Sequence, residues 1–274
     1  VPEYRSVYHT EASKGVDGSY TLVHQLYNPG TFLVKPGDSI VVTAAVQAHR
    51  LNESDVKPDI QVEKRKRNDF VSQVWNNLVI ETPDPVLNTA FAFAKIRGSE
   101  SIYKTRGGYM HGPGGESYYA AIWANDQAEY IGPFFPYLGY EKGNASSLNA
   151  YLHFARFMND DFKPIPSSII AEGLDIWNGA GDRGDAAMIA YGAARYALVR
   201  GDKTEAEQLW PLITWCLEYC RQKLNDAGVV TSNCDELEGR FPAGEANLCT
   251  SSLYYDALLS AAYLGKSLGK PSSE

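Results

Sequence analysis

The apolar residues of this chain change their period once, near residue 70. Before that point the pattern favours strands. Ser19-Tyr20-Thr21-Leu22-Val23-His24-Gln25-Leu26 alternates, Asn28-Pro29-Gly30 turns the chain into Thr31–Val34, and Lys35-Pro36-Gly37-Asp38 turns it again into Ser39–Val46. Three strands leave one apolar face uncovered, so residues 1–50 are expected to be the end of an antiparallel β-sandwich. Residues 51–83 then read as a polar connector with a linker helix, in which Phe70, Val71, Val74, Trp75, Leu78 and Val79 recur at helical spacing before Thr82-Pro83-Asp84-Pro85 stops them. From 84 to 274 the pattern is helix and long loop. Helices are expected over 84–97, 125–139, 145–159, 183–200, 203–225 and 250–267, with Asn144, Asp182 and Asp202 as caps near three of the starts. The fold class expected is mainly α. The connections 98–124, 160–182 and 226–249 are long, glycine-rich and acidic, and loops beyond about 12–15 residues are unusual unless they carry function.

Charge narrows the partners. The net charge of −8 excludes a nucleic-acid backbone as the natural ligand and suits a neutral one. The basic run Glu63-Lys64-Arg65-Lys66-Arg67 sits among acidic residues and reads as a solvated helix face. No apolar run reaches the roughly 18–20 residues that span a bilayer, so no membrane partner is expected. The chain opens on Val1 with no leader before it, which reads as a processed or truncated product. Cys216 and Cys220 lie one helical turn apart while Cys234 and Cys249 bracket a loop; buried thiols or one loop disulfide fit this spacing better than zinc, whose motifs usually pair short spacings twice. The calcium-loop pattern and the serine elbow of a catalytic triad are absent, and His111 and His153 stand alone, so neither metal nor cofactor is expected.

The candidate chemistry lies at the ends of the long connections. Trp123-Ala124-Asn125-Asp126 sets an indole, an amide and a carboxylate at a predicted helix start, after Arg106–Gly115, which looks too glycine-rich for regular structure. Rings beside amide and carboxylate edges suit a sugar, whose C–H faces stack while its hydroxyls need fixed hydrogen-bond partners. The plainer reading of Asp126 is a helix cap. In the next connection Asp175, Trp177 and Asn178 repeat the combination, while Asp182 and Asp185 read as caps of the following helix. The third holds Cys234-Asp235-Glu236-Leu237-Glu238-Gly239-Arg240, which by itself could be a solvated acidic turn.

Together KPGDSIVV, ETPDPVLNTAFAFAK, IWANDQAEYIGPFFPYLG and GDRGDAAMIAYGAARYAL resemble the six-hairpin glycosidases, over roughly residues 70–274. The resemblance implies an (α/α)6 toroid after a β-sandwich, of which this chain would hold the first half, and a glycoside hydrolase as the activity. In that class the second helix commonly opens on an Arg-Asp pair that grips the sugar; the pair here is Asn125-Asp126. The class places its general acid between the fifth and sixth helices, which here means the Asp235–Arg240 cluster. Glycoside hydrolysis needs one carboxylic acid to protonate the leaving oxygen and a second carboxylate across the sugar. Glu236, flanked by another acid that disfavours its ionisation, is the expected acid, with Glu238 next. Asp235 and Arg240 join Trp123, Asn125, Asp126, Asp175, Trp177 and Asn178 as substrate-binding groups. The resemblance further implies inversion, a second carboxylate outside this chain, and secretion or a periplasmic location. Two rivals stand beside it: a non-catalytic carbohydrate-binding module, and another α/α-toroid enzyme such as a polysaccharide lyase or sugar epimerase.

Overall fold

The computed structural model describes residues 33–41, 52, 54, 56–112, 121–170, 181–234 and 244–271 in full, and residues 5–7, 12–14, 20–22, 25–27 and 176–177 by their backbone. The chain divides into two compact units, 1–63 and 64–274.

In the first unit β1 (Arg5–Val7) pairs antiparallel with β4 (Gln25–Tyr27), and β2 (Ala12–Lys14) with β3 (Tyr20–Leu22). The strand expected over residues 19–26 is therefore two short strands with different partners. Leu33–Val34 and Ser39–Val41 form no strand, and Leu33, Val34, Ile40 and Val41 are exposed. The rest of the expected strand, residues 42–46, lies outside the described residues.

Helix α1 (Ile60–Asn76) opens where the Asp59 carboxylate accepts from the backbone N–H groups of Gln61 and Val62 at 2.9 and 3.1 Å. Its stripe Phe70, Val71 and Val74 packs with Ile96, Phe135, Leu138 and Tyr140. Its end carries a buried cation. The Lys95 ammonium donates to the carbonyls of Trp75 at 2.9 Å and Asn77 at 2.5 Å, supplying partners that the last turn of a helix lacks. Helix α2 (Pro85–Glu100) starts as its sequence predicts, with Asp84 accepting from Val86 N–H at 2.8 Å and Pro85 in the first turn.

The long connections contain strands, contrary to the expectation of loop. β5 (Ile102–Thr105) and β6 (Gly108–His111) form an antiparallel hairpin, and β7 (Ala121–Trp123), β8 (Ser168–Ile170) and β9 (Ile176–Trp177) a three-stranded antiparallel sheet in that order. The glycines at 107 and 108 mark a tight turn: Gly108 takes φ +100°, and Asn149 Nδ2, on a later helix, ties the turn down at Gly107 O, 2.7 Å, and Tyr109 O, 2.9 Å.

Five further α-helices follow: α3 (Gly132–Leu138), α4 (Glu141–Ala155), α5 (Asp185–Arg200), α6 (Lys203–Gln222) and α7 (Leu248–Leu268). They pack in two layers, α3 beside α5 beside α7, with α4 against α3 and α6 against α5 and α7. Asn144, expected as a cap, is buried inside α4, which starts at Glu141 after Tyr140. Asp202 does cap α6, accepting from Thr204 and Glu205 N–H at 2.8 and 3.0 Å.

The centre of the core is α5. Ala186, Ala187, Ala190, Ala193, Ala194 and Ala197 are buried along it, and small side chains let neighbouring helices come close. At Gly192 a Cβ would stand 2.5 Å from Ala128 Cα, so glycine is required for this approach. The larger groups that fill the layer include Met188, Ile189, Tyr151 and Tyr196, each shielded from water and each contributing on the order of 2 kcal/mol by burial.

Candidate active site

One end of the helical unit gathers the starts of the α3, α5 and α7 segments. Ala124 N–H donates to Ser167 O at 2.9 Å, which ties the entry of the α3 segment to the residue before β8. Gly184, the residue before α5, takes φ +83°, and a Cβ there would overlap Thr250 in the first turn of α7. Asn247 caps α7, accepting from Thr250 N–H at 2.8 Å. Three helices thus direct their N-termini to the same end, where the partial positive charge of each favours acidic or hydroxyl-rich groups.

Trp123 ends β7. Its backbone pairs with Ser168, and Ser168 pairs on its other side with Trp177. The two tryptophan positions therefore occupy one cross-strand row, about 10 Å apart at the backbone. Beyond Trp123 the chain enters a helix at once: Asn125 has φ −62° and ψ −49°, and its side chain makes no capping bond. Asp126 follows in the first turn, partly exposed, so neither residue is an N-cap by conformation. Asn125 Oδ1 is buried and has no hydrogen-bond partner among the described residues.

The helix expected as one piece over 125–139 is a π-helical turn, Asp126–Ile131, running into α3. Two features cause this. Pro133 has no N–H for the carbonyl of Glu129, and Gly132 N–H donates instead to Gln127 O, five residues back. Tyr151 from α4 adds its hydroxyl to the same carbonyl at 3.2 Å, and the absence of a Cβ at Gly132 gives it room. The wider turn rotates the residues after it relative to Asp126 and lets Gln127 Nε2 reach back to His111 O at 2.8 Å. Burial holds the His111 imidazole near pKa 4, so the ring is neutral at physiological pH.

Below the tryptophan row lies a buried polar network that sequence reading treated as helix caps. The Arg183 guanidinium donates from Nε to Ser167 Oγ at 3.0 Å and from Nη2 to Asp185 Oδ1 at 3.1 Å. Ser167 Oγ and Arg183 N–H both donate to Asp185 Oδ2, at 2.9 and 3.3 Å. Burial pushes the Asp185 carboxyl above the usual range, and the Arg183 charge and Ser167 hydroxyl pull it back. Asp185 is the first residue of α5, and the bonds to Arg183 and Ser167, not a cap, occupy its carboxylate. Asp182 is no N-cap either. Its Oδ1 accepts from Gly184 N–H at 2.9 Å, closing a turn, and its Oδ2 accepts from the Tyr219 hydroxyl. Burial, reinforced by Asp182, holds that phenol well above its ordinary pKa, so it stays a donor.

Arg183 also stands over the indole of Trp123, 5.5 Å from the ring centroid. The motif Asp182-Arg183-Gly184-Asp185, charged on both sides of a glycine, was the signal available in the sequence for this cluster. Ser167 and Tyr219 carried none, since both come from distant segments.

Of the other expected site residues, Asp175, Asn178, Asp235, Glu236, Glu238 and Arg240 lie outside the described residues, and Trp177 is described by its backbone. The roots of these segments are described. Asn233 and Cys234 donate their N–H groups to Asp182 O at 2.9 and 3.1 Å, and Cys234 is the residue before Asp235. Ser232 N–H donates to Glu245 O at 3.2 Å, Thr231 pairs with Ala246, and Asn247 Nδ2 reaches Ser232 Oγ at 3.0 Å. Both ends of segment 235–243 are therefore fixed beside the start of α7. Segment 178–180 ends at Gly181, where a Cβ would lie 2.9 Å from Asn233 Nδ2. Among the described residues no group of three or more His, Cys, Asp or Glu side chains is placed to hold a metal ion. The four cysteines are free thiols, three of them buried.

The chain matches no protein-family model and no curated protein. Among solved structures it is similar to a family 105 glycoside hydrolase of C. acetobutylicum ATCC 824, at 14% identity and a TM-score of 0.48, over 66% of this chain and 54% of that one. The chain thus spans about half the length of that structure.

Proposed function

We propose that this chain belongs to a glycoside hydrolase that acts on a neutral glycan by acid/base catalysis with inversion, on an (α/α)-toroid scaffold. The observation that carries the reading is the common anchorage of the three candidate segments. Trp123 and Trp177 share a cross-strand row, Asp126 opens the helical turn directly after it, and the stem of Asp235–Arg240 is bonded to Asp182 beneath. The described roots of three distant stretches of sequence meet at one end, where helix N-termini also converge. The alternation of α3, α5 and α7 in one layer with α4 and α6 in the other supports the toroid reading.

In this reading Glu236 protonates the leaving oxygen, with Glu238 as the alternative acid. Trp123 and Trp177 stack on sugar faces, and Asn125, Asp126, Asp175, Asn178, Asp235 and Arg240 bind hydroxyls. The unpartnered Asn125 Oδ1 is an acceptor of the kind a sugar hydroxyl satisfies. Secretion or a periplasmic location goes with this proposal.

The test is hydrolysis of a panel of neutral aryl glycosides and oligosaccharides by the intact protein and its Glu236→Gln variant. Loss of about 10²- to 10⁴-fold in rate with the fold retained is expected. Full activity in Glu236→Gln and Glu238→Gln alike would overturn the assignment of the acid. Sugar binding without turnover would favour a non-catalytic module, and turnover confined to uronate-containing glycans would favour a lyase.

A further inference from the structure

We infer that Arg183 is a positioning residue for Trp123: its guanidinium, clamped between Asp185 and Ser167, backs the indole and fixes the face that Trp123 turns to a bound sugar. The inference deepens the carbohydrate site proposed above and rests on that reading.

Arg183 and Asp185 are each about 1% exposed. Taking both charges out of water costs several kcal/mol per ion, and well-packed apolar side chains often fill such volume with equal or greater stability. Stability alone therefore does not account for a guanidinium here. What it supplies is a rigid plane with donors fixed in direction, held at two edges by Ser167 Oγ and Asp185 Oδ1. The plane is held against the Trp123 ring, 5.5 Å from its centroid. The backbone obeys the same reference point, since Ala124 N–H is bonded to Ser167 O. Main chain and ring at 123–124 are thus both set from residue 167, and Asp185 sets the same guanidinium from the first turn of α5. A ligand-stacking ring must be fixed before the ligand arrives if binding is not to bear the cost of ordering it.

The experiment labels the protein with 5-fluorotryptophan and follows its five tryptophans by fluorine NMR, with the Trp123 line assigned by its loss in Trp123→Phe. Two variants are compared with wild type. Arg183→Lys keeps the charge and loses the planar fork. The double variant Arg183→Met with Asp185→Asn removes both charges and keeps an acceptor for Ser167, so a buried unpaired carboxylate does not confound it. In each, the Trp123 line is expected to move and broaden while those of Trp75, Trp210 and Trp215 hold their positions. Affinity for the neutral methyl glycosides that bind wild type is expected to fall about 2- to 10-fold, the cost of ordering one side chain on binding. An unchanged Trp123 line in a folded variant, with glycoside affinity retained, would show Arg183 to be packing only and overturn the inference. Should wild type bind none of the glycosides, the carbohydrate reading fails, and the Trp123 line still decides whether Arg183 fixes that ring.

Discussion

Gly192 offers the sharpest test of how the core sets the site. Alanine is the better helix former, and in a solvent-facing helix the change Gly→Ala would stabilise by about 1 kcal/mol. Here the added methyl would stand 2.5 Å from both Ala128 Cα and Ala128 O and 2.7 Å from Ala128 Cβ. Ordinary carbon contacts lie near 3.5–4.0 Å, so the two helices must separate by roughly 1 Å. The atoms met include backbone, which cannot rotate aside. Overpacking of this kind costs about 1–3 kcal/mol, and it also opens contacts elsewhere along the buried alanine face. We therefore expect Gly192→Ala to destabilise by about 1 kcal/mol net, the clash outweighing the gain in helix propensity. In a unit of about 200 residues this lowers the melting temperature by about 2–4 °C. The displacement has an address as well as a size, because Ala128 lies in the π-helical turn two residues after Asp126. Urea melts of wild type and variant measure the stability, and the fluorine line of Trp123 reports whether the site end moves with it. A stabilised Gly192→Ala with an unchanged urea slope would refute the close approach of α5 to this turn.

Three further outcomes follow from single groups. His111 is held near pKa 4 and His153 is also lowered, in both cases mainly by burial, so between about pH 6.5 and 4 the unfolded chain binds more protons than the folded one. Stability is then full above about pH 6.5 and falls as pH drops, by up to about 3 kcal/mol for His111; urea midpoints from pH 7.5 to 4.5 check this, and His111→Phe should reduce the slope by about one proton. Asp202→Ala removes the acceptor for Thr204 and Glu205 N–H and should cost about 1 kcal/mol, read by thermal melting, with no change at the site end. Asp126→Asn should weaken sugar binding by about 10- to 100-fold, the worth of one charge-assisted hydrogen bond, while the melting temperature holds; calorimetric titration and a melt separate this from a structural role, in which the fold would fail and the affinity of the folded fraction would not.

Helices α2, α5 and α6 were legible because each carries a start or stop in neighbouring residues: Asp84 before α2 with Pro85 in its first turn, Asp202 before α6, Gly201 after α5. Helical period and local caps act within a few residues, so a sequence displays them directly. The strands inside the long connections were not legible for the opposite reason. β7, β8 and β9 are two or three residues each, β7 exists by pairing with a strand tens of residues away, and a run that short shows no period. Gly107 and Gly108 signal a hairpin turn equally well as a loop, and it is Asn149 and His153 of α4, bonded to Gly107 O, that settle the matter.

The same distinction governs the site. Trp123, Asn125 and Asp126 could be chosen from residue type, because an indole beside an amide and a carboxylate is local information. Asp182 and Asp185 were misread as caps because a cap is the nearest use for an acid before a helix. Their true partners, Tyr219 and Ser167, lie 37 and 18 residues away. What the charges in Asp-Arg-Gly-Asp do report locally is an imbalance: two acids and an arginine about a glycine at φ +83° cannot all cap one helix. A cluster with more charged groups than the local backbone can use must be bonded to something distant, and here that something is Ser167, next to the strand that pairs with both tryptophan positions, and Tyr219 on α6.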